Sequence, residues 1–163
     1  MTVTESTTIT RTVDGAEVPA AGTYAIDASH SQAGFVVRHL MVSKVRGAFT
    51  GVSGTVTVAE DVNDSTVVVD IDPASIDTRD AGRDAHLRTA DFLDAEAFPT
   101  ITYASTGLRR DGGEWALDGD LTIKGVSRPV RLEVEFLGAA GDQGAVPASA
   151  SAPRASWTVR TGA

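Results

Sequence analysis

The chain has 163 residues, enough for one domain with a sizeable core. Its 22 Asp and Glu against 14 Lys and Arg give a net charge of −8. That field repels phosphate backbones, and no strong basic patch offsets it, which argues against a nucleic-acid partner. The chain has no cysteine, hence no disulfide framework, thiol nucleophile or thiolate metal site.

Residues 1–22 are rich in Thr, Ala and Gly and read as a loose N-terminal arm. They contain neither a basic n-region nor an uninterrupted apolar h-region, so no secretory leader is read. No stretch reaches the apolar length of a transmembrane helix. Together these features predict a cytoplasmic protein that is not embedded in a membrane.

From Tyr24 onward, alternation with period two dominates. Phe35, Val37 and His39 share one face, and Val36, Arg38 and Leu40 the other. The stretch FVVRHLMVSKVRGAF reads as a strand over 35–40, a bent apolar lip over 40–45, and a second strand from Arg46. Val56 and Val58 alternate next, followed by a turn over 60–64. Val67, Val69 and Ile71 then oppose Val68, Asp70 and Asp72. The runs ITYAS, WALDGDLTIKG and PVRLEVEFLG continue the pattern, the last with Val130, Leu132, Val134 and Phe136 on one face. Turn signals fall at Gly112-Gly113, Gly125 and Arg128-Pro129. Many short strands with one apolar face predict an all-β antiparallel barrel or sandwich.

One segment breaks the period. Residues 78–98 carry charged, alanine-rich helical spacing, with Leu87, Phe92 and Phe98 as apolar anchors. Asp80 is placed to cap its start, and Pro99 ends it. The tail over 139–163 is dominated by Ala, Ser, Gly and Pro, and only SWTVR within it resembles a strand. It is expected to pack poorly.

Catalytic chemistry has little purchase. His30, His39 and His86 match no compact metal motif, so no metal site is read. Asp27, Ser29 and His30 lie within a few residues, but strand neighbours point to opposite faces and make a poor nucleophile–base pair. The enzymatic alternative would use His30 or His39 as general base on a small apolar substrate. Another alternative is a structural or interaction domain with a filled interior.

Three separated stretches carry a resemblance: YAIDASHSQAGFVVRHLMVSKVRGAF, SIDTRDAGRDAHLRTADFLDAEAFPTI and GDLTIKGVSRPVRLEVEF. In order and spacing they resemble the YceI-like family of polyisoprenoid-binding proteins over about residues 22–138. The resemblance implies a lipocalin-like antiparallel barrel domain over 23–138 with one helical excursion. It further implies non-enzymatic binding of a long isoprenoid, such as a polyprenyl phosphate or diphosphate or a prenylated quinone, as carrier, store or sensor. No cofactor other than bound lipid follows. Past Gly138 the chain lacks the family's Gly-Phe-rich strand, its Arg-Asp-Phe/Trp-Gly motif and its last apolar strand. An incomplete barrel would leave two open sheet edges, an opening for a homodimer.

On that reading, the hairpin contributes Phe35, Val37, Leu40, Met41 and Phe49 to an apolar tunnel. Val69, Ile71, Ile76, Leu87, Phe92 and Phe98 continue it, and Ile101, Leu121, Ile123 and Leu132 complete the lining. The candidate head-group contacts are His39, Arg46, His86 and Arg88. A prenyl chain satisfies no polar group, so such a lining must be apolar. Alternation alone leaves open whether these residues line a tunnel or fill a solid core.

Overall fold

The computed structural model describes residues 10–29, 31–39, 43–140 and 154–161, with the backbone alone for 39, 137–140 and 154–161. In chain order the strands are β1 (Thr10–Val13), β2 (Ala16–Pro19), β3 (Gly22–Ala25), β4 (Ala33–His39), β5 (Ser43–Phe49), β6 (Val52–Val58), β7 (Thr66–Ile71) and β8 (Ile76–Asp77). Helix α1 (Ala81–Leu87) follows, then β9 (Ile101–Asp111), β10 (Glu114–Ile123), β11 (Val126–Ala140) and β12 (Arg154–Thr161). Apart from α1 and two short 3-10 turns, the described regular structure is β, and every strand pair is antiparallel, as the alternation predicts.

Seven strands form the main sheet in the order β12-β11-β10-β9-β7-β6-β3. Laid flat at about 4.8 Å per strand, its edges would stand roughly 29 Å apart. Instead β12 and β3 approach within 8 Å, Cα to Cα, so the sheet curls on itself. Hydrogen bonding does not run round the whole circuit: β4, β5 and β8 make a second sheet, and β1–β2 a separate hairpin.

Two-residue turns join three of the hairpins. Asp14-Gly15, Gly112-Gly113 and Lys124-Gly125 each place both residues at positive φ, the geometry that matches strand twist. The first lies inside the segment expected to be a loose arm. There TRTV and AEVP pair as β1 and β2, and Val18 is only 3% exposed. Arg11 fastens the hairpin to the carbonyls of Ala59 and Glu60, and Arg110 donates to Asp14 O at 2.7 Å.

Three other expectations change in detail. Arg128-Pro129 is not a turn but lies inside β11, with Pro129 opposite Asp120. This is tolerated because β12 pairs with β11 only from Leu132 onward, which leaves Pro129 with a neighbour on one side alone. β5 begins at Ser43, three residues before Arg46. The helical excursion is short, because Thr89 donates both its N–H and its hydroxyl to His86 O and closes α1 after two turns. Residues 88–98 continue as linked turns, with Leu93 N–H bonded to Leu87 O and Phe98 N–H to Asp94 O. Of the tail, residues 154–161 form β12 against β11, and the SWTVR stretch lies within it. Among the described residues no helix is long and apolar enough to cross a membrane.

Candidate apolar ligand site

The pairing register builds one apolar face across the main sheet. Val52, Ile71 and Ile101 lie in one lateral row, and Val69, Tyr103 and Leu121 in the next. Leu117 and Leu132 pair further along. The opposite face carries Asp70, Asp118, Arg131 and Glu133, while on the apolar face the register also places Arg128 opposite Leu121 and Ser105 opposite Gly119. Along β7 and over residues 126–136 of β11, the apolar-face residues from Val67 and Val130 onward are half-buried, not buried. Full burial is reached at Ile101, Tyr103 and Leu117, each 5% exposed or less. The face is therefore sheltered but not closed over.

On the second sheet Phe35 and Phe49 are half-buried, with ring centroids 5.5 Å apart and planes tilted by 45°. Gly47, directly opposite Phe35, makes this possible, because the Phe35 ring lies where a Cβ on residue 47 would sit. Val37 shares their face and is 53% exposed. Arg46 lies on the other face of the hairpin, with Arg38 and Lys44, so it does not project beside the Phe35–Phe49 pair. The side chain of His39, and residues His30, Leu40 and Met41, fall outside the described residues.

The helical segment is tied down by charge-assisted hydrogen bonds. Asp80 caps α1 by accepting from Arg83 N–H at 2.9 Å, as its position predicts. Asp84 is buried and accepts from the Thr78 hydroxyl at 2.6 Å and the Thr78 N–H at 2.9 Å. The hydroxyl bond, aided by the backbone bond and by Arg88 and Arg83, holds its carboxyl below the usual range despite burial. Arg83 closes the cluster by donating to Thr78 Oγ1 and to Thr78 O.

Two candidate head-group contacts are committed within the chain. Arg88 donates to Ala74 O at 2.8 Å and Ile76 O at 3.2 Å, pinning the helix end to β8. His86 lies 3.0 Å from Asp91 and edge-on to Phe92 at 5.0 Å, and both polar partners are largely exposed. Ile76 is buried at 4% exposed, and Leu87 is half-buried. Phe92 and Phe98 stay 49% and 36% exposed, and Ile123 38%. Phe98 adjoins the Lys124-Gly125 turn, and Lys124 donates to Ala90 O, so the 88–98 turns lie against the end of the β10–β11 hairpin.

Among the described residues, two of the surface clefts adjoin the main sheet. One of about 610 Å³ is lined by Trp115, Val134, Phe136 and four glutamates, including Glu17 and Glu114. The other, about 300 Å³, lies between the end of the β6–β7 pair and Pro99-Thr100. Of the predicted lining residues that are described, only Ile71 borders either cleft. No three His, Asp or Glu among the described residues are grouped to hold a metal ion.

The alternation pattern did not single out Tyr103, a buried polar side chain of the apolar face. Its hydroxyl points at Val130 O, 3.1 Å away, and Leu117 O, 3.3 Å away. Burial, with Asp118 and Asp120 nearby, pushes its pKa up to about 12. A signal was present, since glycine in a strand interior marks close approach and Gly119 sits mid-strand in WALDGDLTI. Arg110 over the Trp115 ring, at 5.8 Å, left no such mark.

Comparison with known proteins agrees with this geometry. "Protein YceI" of Escherichia coli O157:H7 is 40% identical over 125 residues, which cover 75% of this chain and 65% of that protein, so the chain spans just under two thirds of that relative's length. The crystal structure of BcnA from Burkholderia cenocepacia superposes with a TM-score of 0.64 at 26% identity, covering 71% of this chain and 74% of that one. A polyisoprenoid binding domain from Saccharophagus degradans shares the fold at a TM-score of 0.54 and 17% identity, over 71% of this chain and 68% of its own. The sequence model of the YceI-like domain matches residues 24–163, the span from β3 through β12, and the chain belongs to that family.

Proposed function

We propose that this chain binds a long isoprenoid lipid on the apolar face of its curled sheet, acting as carrier, store or sensor without catalysing a reaction on it. The observation that carries this reading is the half-burial of that face. Val67, Val69, Ile71, Val130, Leu132 and Val134 point to the same side yet keep accessible surface, where a solid core would have covered them. A prenyl chain is the complement of such a surface, since it is long, apolar and free of hydrogen-bonding groups. Burying methylenes contributes about 0.8 kcal/mol each, so each five-carbon isoprene unit adds roughly 3–4 kcal/mol before ordering costs. A protein named as a polyisoprenoid binding domain shares the fold, which supports the same ligand class here.

The lining comprises Val69, Ile71, Leu121 and Leu132 with Phe35 and Phe49, and the head group is met at the rim, with His39 and the exposed His86 as candidates, since Arg46 lies on the other face of its hairpin and Arg88 is bonded to the Ala74 and Ile76 carbonyls. Native mass spectrometry of gently purified protein tests the proposal. An apolar adduct in the isprenoid mass range, or uptake of added polyprenyl phosphate by stripped protein, is expected. Full-length protein that carries no apolar ligand and takes up none would refute it.

A further inference from the structure

The outward face of the β4–β5 hairpin carries Val36, Arg38, Lys44 and Arg46, all exposed, with Val36 at 56%. The register sets Lys44 directly opposite Arg38, and Arg46 opposite Val36. Directly opposed side chains on one face have Cβ atoms about 5 Å apart, where like charges oppose pairing. Several other basic residues of the chain have partners. Arg109 and Arg131 flank Asp118, Arg11 meets Glu60, and Arg83 and Arg88 bond backbone carbonyls. None of the ion pairs among the described residues includes Arg38, Lys44 or Arg46. A chain with a net charge of −8 thus gathers three cations on one small face and, among the described residues, pairs none of them with a carboxylate.

We propose that this face docks the protein on an anionic lipid bilayer. Three cations offer too few phosphate contacts to hold a nucleic acid against the field of the whole chain. A bilayer asks for no fixed geometry, because its surface potential attracts each basic side chain nearly independently. The exposed valine between the cations fits the same surface, since the interfacial zone accepts apolar groups beside charged head groups. Docking here does not depend on what the main sheet binds, and vesicle association of lipid-stripped protein is read separately from isoprenoid uptake.

Co-sedimentation with vesicles tests the proposal, using equal parts phosphatidylglycerol and phosphatidylcholine against phosphatidylcholine alone. The stripped chain is expected to pellet with the anionic vesicles only, and to be released by high salt. Each cation removed lowers partitioning about five-fold, so Arg38→Gln, Lys44→Gln and Arg46→Gln together lower it on the order of 100-fold. A charge-matched variant with Arg109→Gln, Arg110→Gln and Arg131→Gln, on β9 and β11, is expected to lose far less. Circular dichroism establishes that both variants fold. The proposal is overturned by equal pelleting with neutral vesicles, by no pelleting, or by equal loss in the two triple variants. Binding to inorganic phosphate or an acidic peptide without vesicle association also overturns it.

Discussion

The ring of Tyr103 lies across Gly119, in the space a side chain there would need. A Cβ built on Gly119 would fall 2.5 Å from Tyr103 Cζ and 2.7 Å from the carbonyl oxygen of Ala104. The tyrosine uses that gap to reach Val130 O, so one phenol ties β9 to both β10 and β11. A strand glycine, costly in itself, is here the condition for a buried cross-strand hydrogen bond.

Gly119→Ala is expected to destabilise the fold by roughly 1–3 kcal/mol, the usual range for forced overpacking. Tyr103→Phe keeps the ring and loses about 1 kcal/mol with the hydroxyl. Placing Gly119→Ala in a Tyr103→Ala background relieves part of the clash, though not the approach to Ala104 O. Denaturant midpoints of the four proteins give a coupling energy that should be clearly non-additive. Additive losses would show that the ring does not depend on the glycine.

The same burial fixes a pH dependence. The chain has two tyrosines, Tyr24 and Tyr103, and burial raises the pKa of both, that of Tyr103 to about 12 from 10.0. A raised phenol pKa means folding favours the neutral form. The contribution is whole below the unfolded value near 10 and is lost as pH rises through about 12. Ultraviolet phenolate titration of the native protein should show less tyrosinate at pH 10 than the unfolded chain, with Tyr103 still neutral there, and unfolding in denaturant should bring both phenols back to the ordinary range. Tyr103→Phe should remove the later part of the native titration.

Much of this fold was legible because alternation reports a one-sided strand wherever it lies. Val67, Val69 and Ile71, and Val130 through Phe136, share faces as their spacing says, and Asp80 caps the helix as its place before an amphipathic run requires. Misreadings arose where a local signal met a longer-range condition. Pro129 reads as a break, but only the span of β12 decides whether its missing N–H matters. Helical spacing continues past Leu87, but Thr89 takes the carbonyl that the next turn would need. The site was less legible than the fold. Arg88 has the charge of a head-group contact, and only folding reveals that the Ala74 and Ile76 carbonyls engage it. Hollow and filled interiors write the same alternation.

Asp84 supplies an acid-side test. Its carboxyl is held below the ordinary range, chiefly by the Thr78 hydroxyl, so folding favours the carboxylate. That contribution is present above the unfolded value near 4 and is lost as pH falls through the lower folded value. Asp84→Asn should lower the thermal midpoint at neutral pH and flatten its decline on acidification, and Thr78→Val should do the same less strongly. Carboxyl chemical shifts followed against pH give the direct check, with Asp84 among the last carboxylates to protonate. Titration of Asp84 in the ordinary range would mean that the Thr78–Asp84 bonds do not form in solution.

Filling the apolar face separates a tunnel from a loosely packed core. Leu121 lies beside Tyr103 on that face and is half-buried, so added volume there projects into whatever space the curled sheet encloses. In a filled interior Leu121→Trp would cost about 1–3 kcal/mol through overpacking. In a hollow one the larger side chain gains buried area and leaves stability within about 0.5 kcal/mol of the parent, while it blocks the path of a prenyl chain. The expected result is an unchanged denaturant midpoint together with a large drop in polyprenyl phosphate uptake, measured by native mass spectrometry. Unimpaired uptake with a lost midpoint would place the ligand elsewhere, with the 610 Å³ cleft beside Trp115 as the next surface to block. The converse substitution, Leu132→Ala, should weaken uptake modestly and cost less than the 2–5 kcal/mol of a leucine removed from a packed core, because its surroundings are already open on one side.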